Sequence, residues 1–248
     1  INSGNANACT GPRGMEDCKS LASKLSQKLS VEPKEILIAS TGIIGVPLPI
    51  NKIVKALPVL SSKLSPIGWV SSAEAIMTTD LTPKFKSLSF YIGKDKITMG
   101  GIAKGSGMIH PNMATMLAFI ATDAAIDKKT LGRALREANN KTFNRITVDG
   151  DTSTNDMAIL LANGKAENKI IRAGSSAYNK FVEKLTEICL DLAHKIVLDG
   201  EGATKFVTIR IQGAKAKTNV HQVAKSVATS SLVKTALFGQ DPNWGRII

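Results

Sequence analysis

Aromatic side chains are scarce in this chain: seven Phe, two Trp and two Tyr among 248 residues. With so few rings to stack on bases, a net charge of +12 does not describe a nucleic-acid groove, and the positive residues are scattered as Lys-x-x-Lys pairs rather than gathered in a run. The charge reads as solvated helix faces with an attraction for small anionic molecules, carboxylates among them. The same scarcity requires an aliphatic core. Three cysteines, Cys9, Cys18 and Cys189, are an odd number without metal-type spacing, which excludes a disulfide framework and favours a reducing compartment. No apolar run is long enough to span a bilayer, and no secretory leader is expected. A cytoplasmic location without membrane or nucleic-acid partners is therefore expected.

What is present is organised around residues 104–121. Gly105, Gly107, Pro111 and Asn112 favour turns and unusual backbone angles, whereas Met116 to Ala121 is an unbroken apolar run of strand length. Thr115 stands at the change, after the small Ala114. It reads either as a β-branched residue opening a strand or as a nucleophile. A Thr hydroxyl needs a base, and one solution is the residue's own α-amine, released only if the Ala114–Thr115 bond is cut. Backbone strain of a few kcal/mol, usual at functional sites, would let the hydroxyl attack the Ala114 carbonyl.

Along the chain, residues 2–14 read as a turn-rich loop and Met15–Leu29 as an amphipathic helix. Glu35–Ser40 reads as a strand, followed by Ser40–Gly45 as a strand running into a Gly turn, where Thr41 and Gly42 offer a hydroxyl and an amide of the kind that makes an oxyanion hole. Helical stretches follow at Ile50–Leu64 and Ser71–Met77, the latter ending in Thr78-Thr79-Asp80. Lys84–Gly93 and Ile97–Ala103 alternate as two strands of a hairpin that delivers Lys104 to the central loop. Lys104 is there either a surface charge or a binder of an anionic group.

Beyond the apolar run come a helix at Lys128–Phe143, a strand at Met157–Leu161, a long helix at Ser176–Leu198, a strand at Phe206–Ile211 and a helix at Val220–Leu237. The acids and hydroxyls of Asp149–Asp156 lack the Gly and terminal Glu of a calcium loop, so no metal is expected there. Glu201 lies between Gly200 and Gly202 on a bend after the long helix. His110, near a Pro in a loop, is read as structural rather than as a base.

Lys-Gly-Ser-Gly-Met-Ile-His-Pro-Asn-Met-Ala-Thr-Met-Leu, residues 104–117, closely resembles the self-cleavage segment of the ornithine acetyltransferases, also called glutamate N-acetyltransferases. The segments Asn2–Gly11, Asp149–Asp156 and Gly239–Arg246 are similar to family segments too, so the resemblance covers the whole chain. It implies cleavage between Ala114 and Thr115 into an α-chain part, 1–114, and a β-chain part, 115–248, that begins with the nucleophile. It implies Thr41 and Gly42 as the oxyanion hole. It also implies Thr78 (with Thr79 as its neighbour), Lys104, Thr115 and Glu201 as substrate-binding residues, Glu201 holding an amine of ornithine.

The implied reaction is ping-pong transfer of acetyl from N2-acetylornithine to glutamate, without metal or bound cofactor and with acetyl-CoA as a possible second donor. The implied fold is α+β, a layered sandwich of mixed sheets and helices in two lobes of the DmpA-like kind. The α and β parts are implied to associate into a heterotetramer. Relative to the family a portion is missing at each end, including a further substrate-binding Asn and Thr near the C-terminus. Two other readings stay open: an N-terminal-nucleophile aminopeptidase or amidase, in which water takes the acyl group, and a non-catalytic scaffold.

Overall fold

A computed structural model describes residues 1–110, 116–214 and 217–248. Its centre is a four-stranded sheet in the order β3 (Lys84–Ile92), β4 (Asp95–Lys104), β5 (Leu117–Thr122), β6 (Met157–Ala162). The first three strands run antiparallel, and β5 and β6 run parallel. A parallel pair needs a crossover, and α4 (Lys128–Lys141) lies within it. The β3–β4 hairpin is as tight as the sequence predicts: Ile92 pairs with Asp95 across a two-residue turn, and Gly93 takes the positive φ of 63° that such a turn asks for.

One face of the sheet packs against α4 and α5 (Ser176–Leu198). The stripe Phe181, Leu185, Ile188, Leu192 and Ile196 is wholly buried against Ile97, Met99, Ala118 and Ile120. Gly101 permits this close approach, because a Cβ there would lie 3.2 Å from Leu192 Cδ1 and 3.1 Å from Ile120 Cγ1. The core is aliphatic for the most part, as the composition requires. Burial pushes the Cys189 thiol up to about 12, so it packs as an inert side chain. On the other face α3 (Trp69–Ala75) sets Ala73, with Ile76 beyond its end, against Ile102, and Phe119 packs beside them.

The N-terminal region adds a parallel pair, β1 (Asn2–Asn5) with β2 (Ser40–Ile43), and the packed helices α1 (Gly11–Leu29) and α2 (Ile50–Ser62). Overall the architecture is mixed α/β. The proposed division at residue 114 runs through the sheet, with β3 and β4 on one side and β5 and β6 on the other.

Several sequence expectations are corrected. Residues 2–14 are not all loop: Asn2–Asn5 pairs with β2, and α1 starts at Gly11 with Pro12 in its first turn, where a missing N–H costs nothing. The strand expected at Glu35–Ser40 starts at Ser40, because a short helical turn at Pro33–Glu35 comes first and Ile36 to Ala39 have no ladder partner. Phe206–Ile211 pairs with nothing among the described residues, and Phe206 instead meets His194 edge to face. The helix expected at Val220–Leu237 is two, α6 (Lys217–Thr229) and α7 (Ser231–Phe238). The Ser230 hydroxyl accepts the Val233 amide proton and starts a new helix there.

Candidate active site

Three strands end in a row. Lys104 closes β4, opposite Leu117 at the start of β5, which pairs with Met157 at the start of β6. One residue beyond that row stand Gly105, Met116 and Asp156. Together with Thr41 of β2, Lys104 and Gly107 they line a cavity of about 40 Å³.

The pleat of β4 determines where Lys104 goes. Ala103 packs in the main core and successive side chains alternate, so Lys104 projects to the opposite face, beside the chain that leaves α3. Its Nζ donates to Thr78 Oγ1 at 2.6 Å and to Thr41 Oγ1 at 3.3 Å, and it lies 3.8 Å from Asp80 Oδ2. Burial lowers the pKa of Lys104 below the usual lysine range; Asp80 opposes the shift and Lys84 adds to it. A charge in such a dry site acts on an anion far more strongly than it would in water.

Asp80 ties this lysine to a second, deeper one. Its Oδ1 accepts from Lys84 Nζ at 2.7 Å and from the Gly105 amide at 2.7 Å, and its Oδ2 from the Thr78 amide at 3.1 Å. Lys84 is 1 % exposed and also meets Asp199 Oδ2 at 2.5 Å. Asp199, at the end of α5, accepts the Ser106 hydroxyl on its carbonyl, and the Glu201 amide donates to the Ser106 carbonyl. One buried ionic chain thereby links the ends of α3 and α5 to the loop that follows β4.

Glu201 is exposed, and its carboxylate lies flat against Gly107. A Cβ at residue 107 would be 2.5 Å from Glu201 Oε1. The glycine is thus needed for close approach, and it places the carboxylate at the cavity's edge.

The acidic loop 149–156 grips both sides of the 111–115 segment, which itself lies outside the described residues. Asp149 accepts the Met108 amide at 2.5 Å and the Ile109 amide at 2.9 Å. The Met116 amide and the Ser153 hydroxyl lie beside the Asp156 carboxyl, which lines the cavity with Met116 and Ser153. Its Oδ2 is dry and has no hydrogen-bond partner among the described residues. Burial raises the Asp156 carboxyl to about 7, with the Ser153 hydroxyl, Lys104 and the Met116 amide opposing. Met108, at φ 59°, occupies the left-handed region uncommon for a bulky side chain. His110 Nδ1 meets Thr147 Oγ1 at 3.1 Å, and that hydroxyl donates to the Ile109 carbonyl, so His110 fastens loop to loop.

Of the residues singled out from sequence, Thr41, Thr78 and Lys104 come together, and Glu201 borders the same cavity through Gly107. Gly42 sits beside Thr41 in β2 at φ 126°, where the backbone of Gly4 occupies the space of a Cβ. Ala114 and Thr115 lie outside the described residues. Asp80, Lys84, Asp199 and Asp156 carried no assignment. Asp80 was visible beside Thr78 and Asp156 in an acid-rich loop, but nothing local marks Lys84 as buried.

Fold and cavity define a mixed α/β protein with a small polar site at a sheet end, cationic on one side and closed by a dry carboxyl on the other. The ArgJ family model matches residues 1–248, and the chain belongs to the ArgJ family. It is 50 % identical over 248 residues to the arginine biosynthesis bifunctional protein ArgJ of Caldanaerobacter subterraneus, covering all of this chain and 62 % of that protein. It is 51 % identical over 247 residues to the protein of the same name from Geobacter sulfurreducens, of which it covers 63 %. The crystal structure of arginine biosynthesis bifunctional protein argJ from Bacillus halodurans matches with a TM-score of 0.52 at 50 % identity, over 54 % of this chain and 62 % of that one. The chain thus spans somewhat under two thirds of the length of these relatives.

Proposed function

We propose that this chain carries the acyl-transfer site of an acetyltransferase that moves an acetyl group from N2-acetylornithine to glutamate in arginine biosynthesis, a cytoplasmic step. Cleavage at Ala114–Thr115 frees the α-amine of Thr115. That amine takes the hydroxyl proton as Oγ attacks the acetyl carbonyl, with Thr41 and Gly42 as oxyanion donors. The C–N bond breaks, ornithine leaves with a proton on its nitrogen, and acetyl stays on Thr115. The amine of glutamate then attacks the ester, and Oγ regains its proton. Thr78 and Lys104 take the substrate carboxylate and Glu201 the ornithine amine. No metal or bound cofactor takes part; acetyl-CoA is the second acetyl donor of this reading, in keeping with the relatives' description as bifunctional.

The observation that carries the reading is that Lys104 joins Thr78 and Thr41 at a cavity walled by Met116, the residue that follows the proposed nucleophile. The β4–β5 ladder supports the cut. Lys104 to Met99 pair with Leu117 to Thr122, so α and β parts would stay bonded after cleavage. We read the whole as part of a two-lobed DmpA-like sandwich whose αβ units pair into a heterotetramer.

Mass spectrometry of the full-length protein is expected to find two chains meeting between Ala114 and Thr115, and a single chain in Thr115→Ala. Acetylornithine and glutamate together are expected to give ornithine and N-acetylglutamate. Ornithine released at the same rate without glutamate would make the protein an amidase, and a Thr115→Ala variant that is still cut would remove the hydroxyl from the mechanism.

A further inference from the structure

Among the described residues that line the cavity, Asp156 is the one ionisable group that the proposed reaction leaves without a task. It stands just before β6, beside Met116, which stands just before β5, because Leu117 and Met157 are paired in the parallel ladder. Asp156 and Met116 line the same cavity, so the carboxyl stands beside the residue that follows Thr115 in the chain. Its Oδ2 is shut off from water and has no partner among the described residues. A charged carboxylate oxygen left in that condition costs far more than a protonated one. The charged group facing it is Lys104 of β4, on which Asp80, Lys84 and Glu201 act in turn.

We propose that Asp156 is the proton-carrying residue of this site, giving a proton to the departing amine and taking one from the incoming amine. The inference rests on the acetyl-transfer reading above. In the first half-reaction the Thr115 hydroxyl proton passes to the α-amine, the C–N bond of the acetylated substrate breaks, and the Asp156 carboxyl donates its proton to the leaving nitrogen. The site is left with an acetyl ester, an ammonium and a carboxylate. In the second half-reaction the amine of the acceptor attacks the ester and loses a proton to the Asp156 carboxylate. The C–O bond breaks, and Oγ recovers its proton from the ammonium. Protons and charge balance over the cycle. A carboxyl that titrates at about 7 can serve in both directions near neutral pH.

The competing account is that Asp156 only anchors the Met116 amide. Asp156→Asn separates the two, since a side-chain amide keeps the size and an accepting oxygen beside the Met116 N–H but cannot titrate. In full-length, self-cleaved enzyme, kcat for transfer from acetylornithine to glutamate is expected to fall about 100-fold or more. The ionisation near pH 7 in the kcat/KM profile of the wild type is expected to vanish, and Asp156→Glu should restore part of the rate and the ionisation. Transfer and pH profile both unchanged in Asp156→Asn would overturn the assignment of Asp156 alone. Wild-type enzyme that makes no N-acetylglutamate would overturn the acetyl-transfer reading and this inference with it. Carbon-13 NMR of the Asp156 carboxyl in the wild type decides the matter even if the variant does not fold: titration near 7 is expected, and titration in the ordinary carboxylate range would overturn the proposal.

Discussion

Lys84 Nζ lies 2.5 Å from Asp199 Oδ2, joining residues 115 positions apart in the chain, and the same ammonium meets Asp80 Oδ1 at 2.7 Å. Lys84 is almost completely buried, so its removal leaves two buried carboxylates with only Lys104, 3.8 Å from Asp80, as a nearby counter-charge. Lys84→Met is expected to destabilise the protein by about 3–5 kcal/mol, the usual result of removing one partner of a buried pair. Urea denaturation followed by circular dichroism measures this. A loss below about 1 kcal/mol would mean that solvent already screens the pair.

Gly42 is fixed by its neighbour across the β1–β2 ladder. A Cβ there would lie 2.3 Å from the Gly4 carbonyl carbon and 2.4 Å from its oxygen, and φ is 126°. Backbone cannot give way as a flexible side chain can. Gly42→Ala is expected to break the β1–β2 pairing, shift Thr41 away from Lys104 and lower turnover by more than 10-fold, a loss above about 1.4 kcal/mol. Turnover assays with a thermal melt test this, and a fully active Gly42→Ala would show that β1 can move aside.

Gly107→Ala probes Glu201 without touching it. The added methyl meets the tip of an exposed side chain rather than backbone, so the fold should hold while the carboxylate is displaced. The expected result is a raised KM for the amine-bearing substrate at an almost unchanged thermal midpoint. Unchanged KM would place Glu201 outside the binding site.

Stability should peak at mildly acidic pH. Burial pushes Asp80 up, but the hydrogen bond and charge of Lys84, with the amides of Gly105 and Thr78, outweigh it and hold the carboxyl below its ordinary value. Its contribution is present above the unfolded carboxylate range and is lost as pH falls through the lower, folded value. Asp156 acts in the opposite sense. The folded state keeps its proton up to about 7, whereas the unfolded chain releases it at about 4, so stability declines between those values as pH rises. Denaturation midpoints across pH 3–8 check both slopes, and Asp156→Asn should flatten the upper one only.

The elements most easily read from sequence are those whose pattern is local and long. The stripe from Tyr178 to Ile196 runs through the 23-residue helix α5 behind a Ser175 cap, and the helix bounds agree with the sequence reading. The β3–β4 hairpin declares itself by alternation on both sides of Gly93. Phe206–Ile211 has the composition of a strand, but a strand exists only where another offers its edge, and among the described residues none does. At Ser230 a single hydroxyl divides a helical pattern that apolar spacing alone would continue.

For the site, Thr41, Thr78, Lys104 and Glu201 are named by the family resemblance of short segments, since their residue types alone leave turns, caps and surface charges as equal readings. The structure brings Thr41, Thr78 and Lys104 together. The desolvation of Asp156, the burial of Lys84 and the contact of Glu201 with Gly107 come from the tertiary structure. Each depends on residues between 40 and 115 positions apart being pressed together at one sheet end. Burial removes water and Coulomb forces strengthen as it goes, and neither quantity is a property of any local stretch of chain.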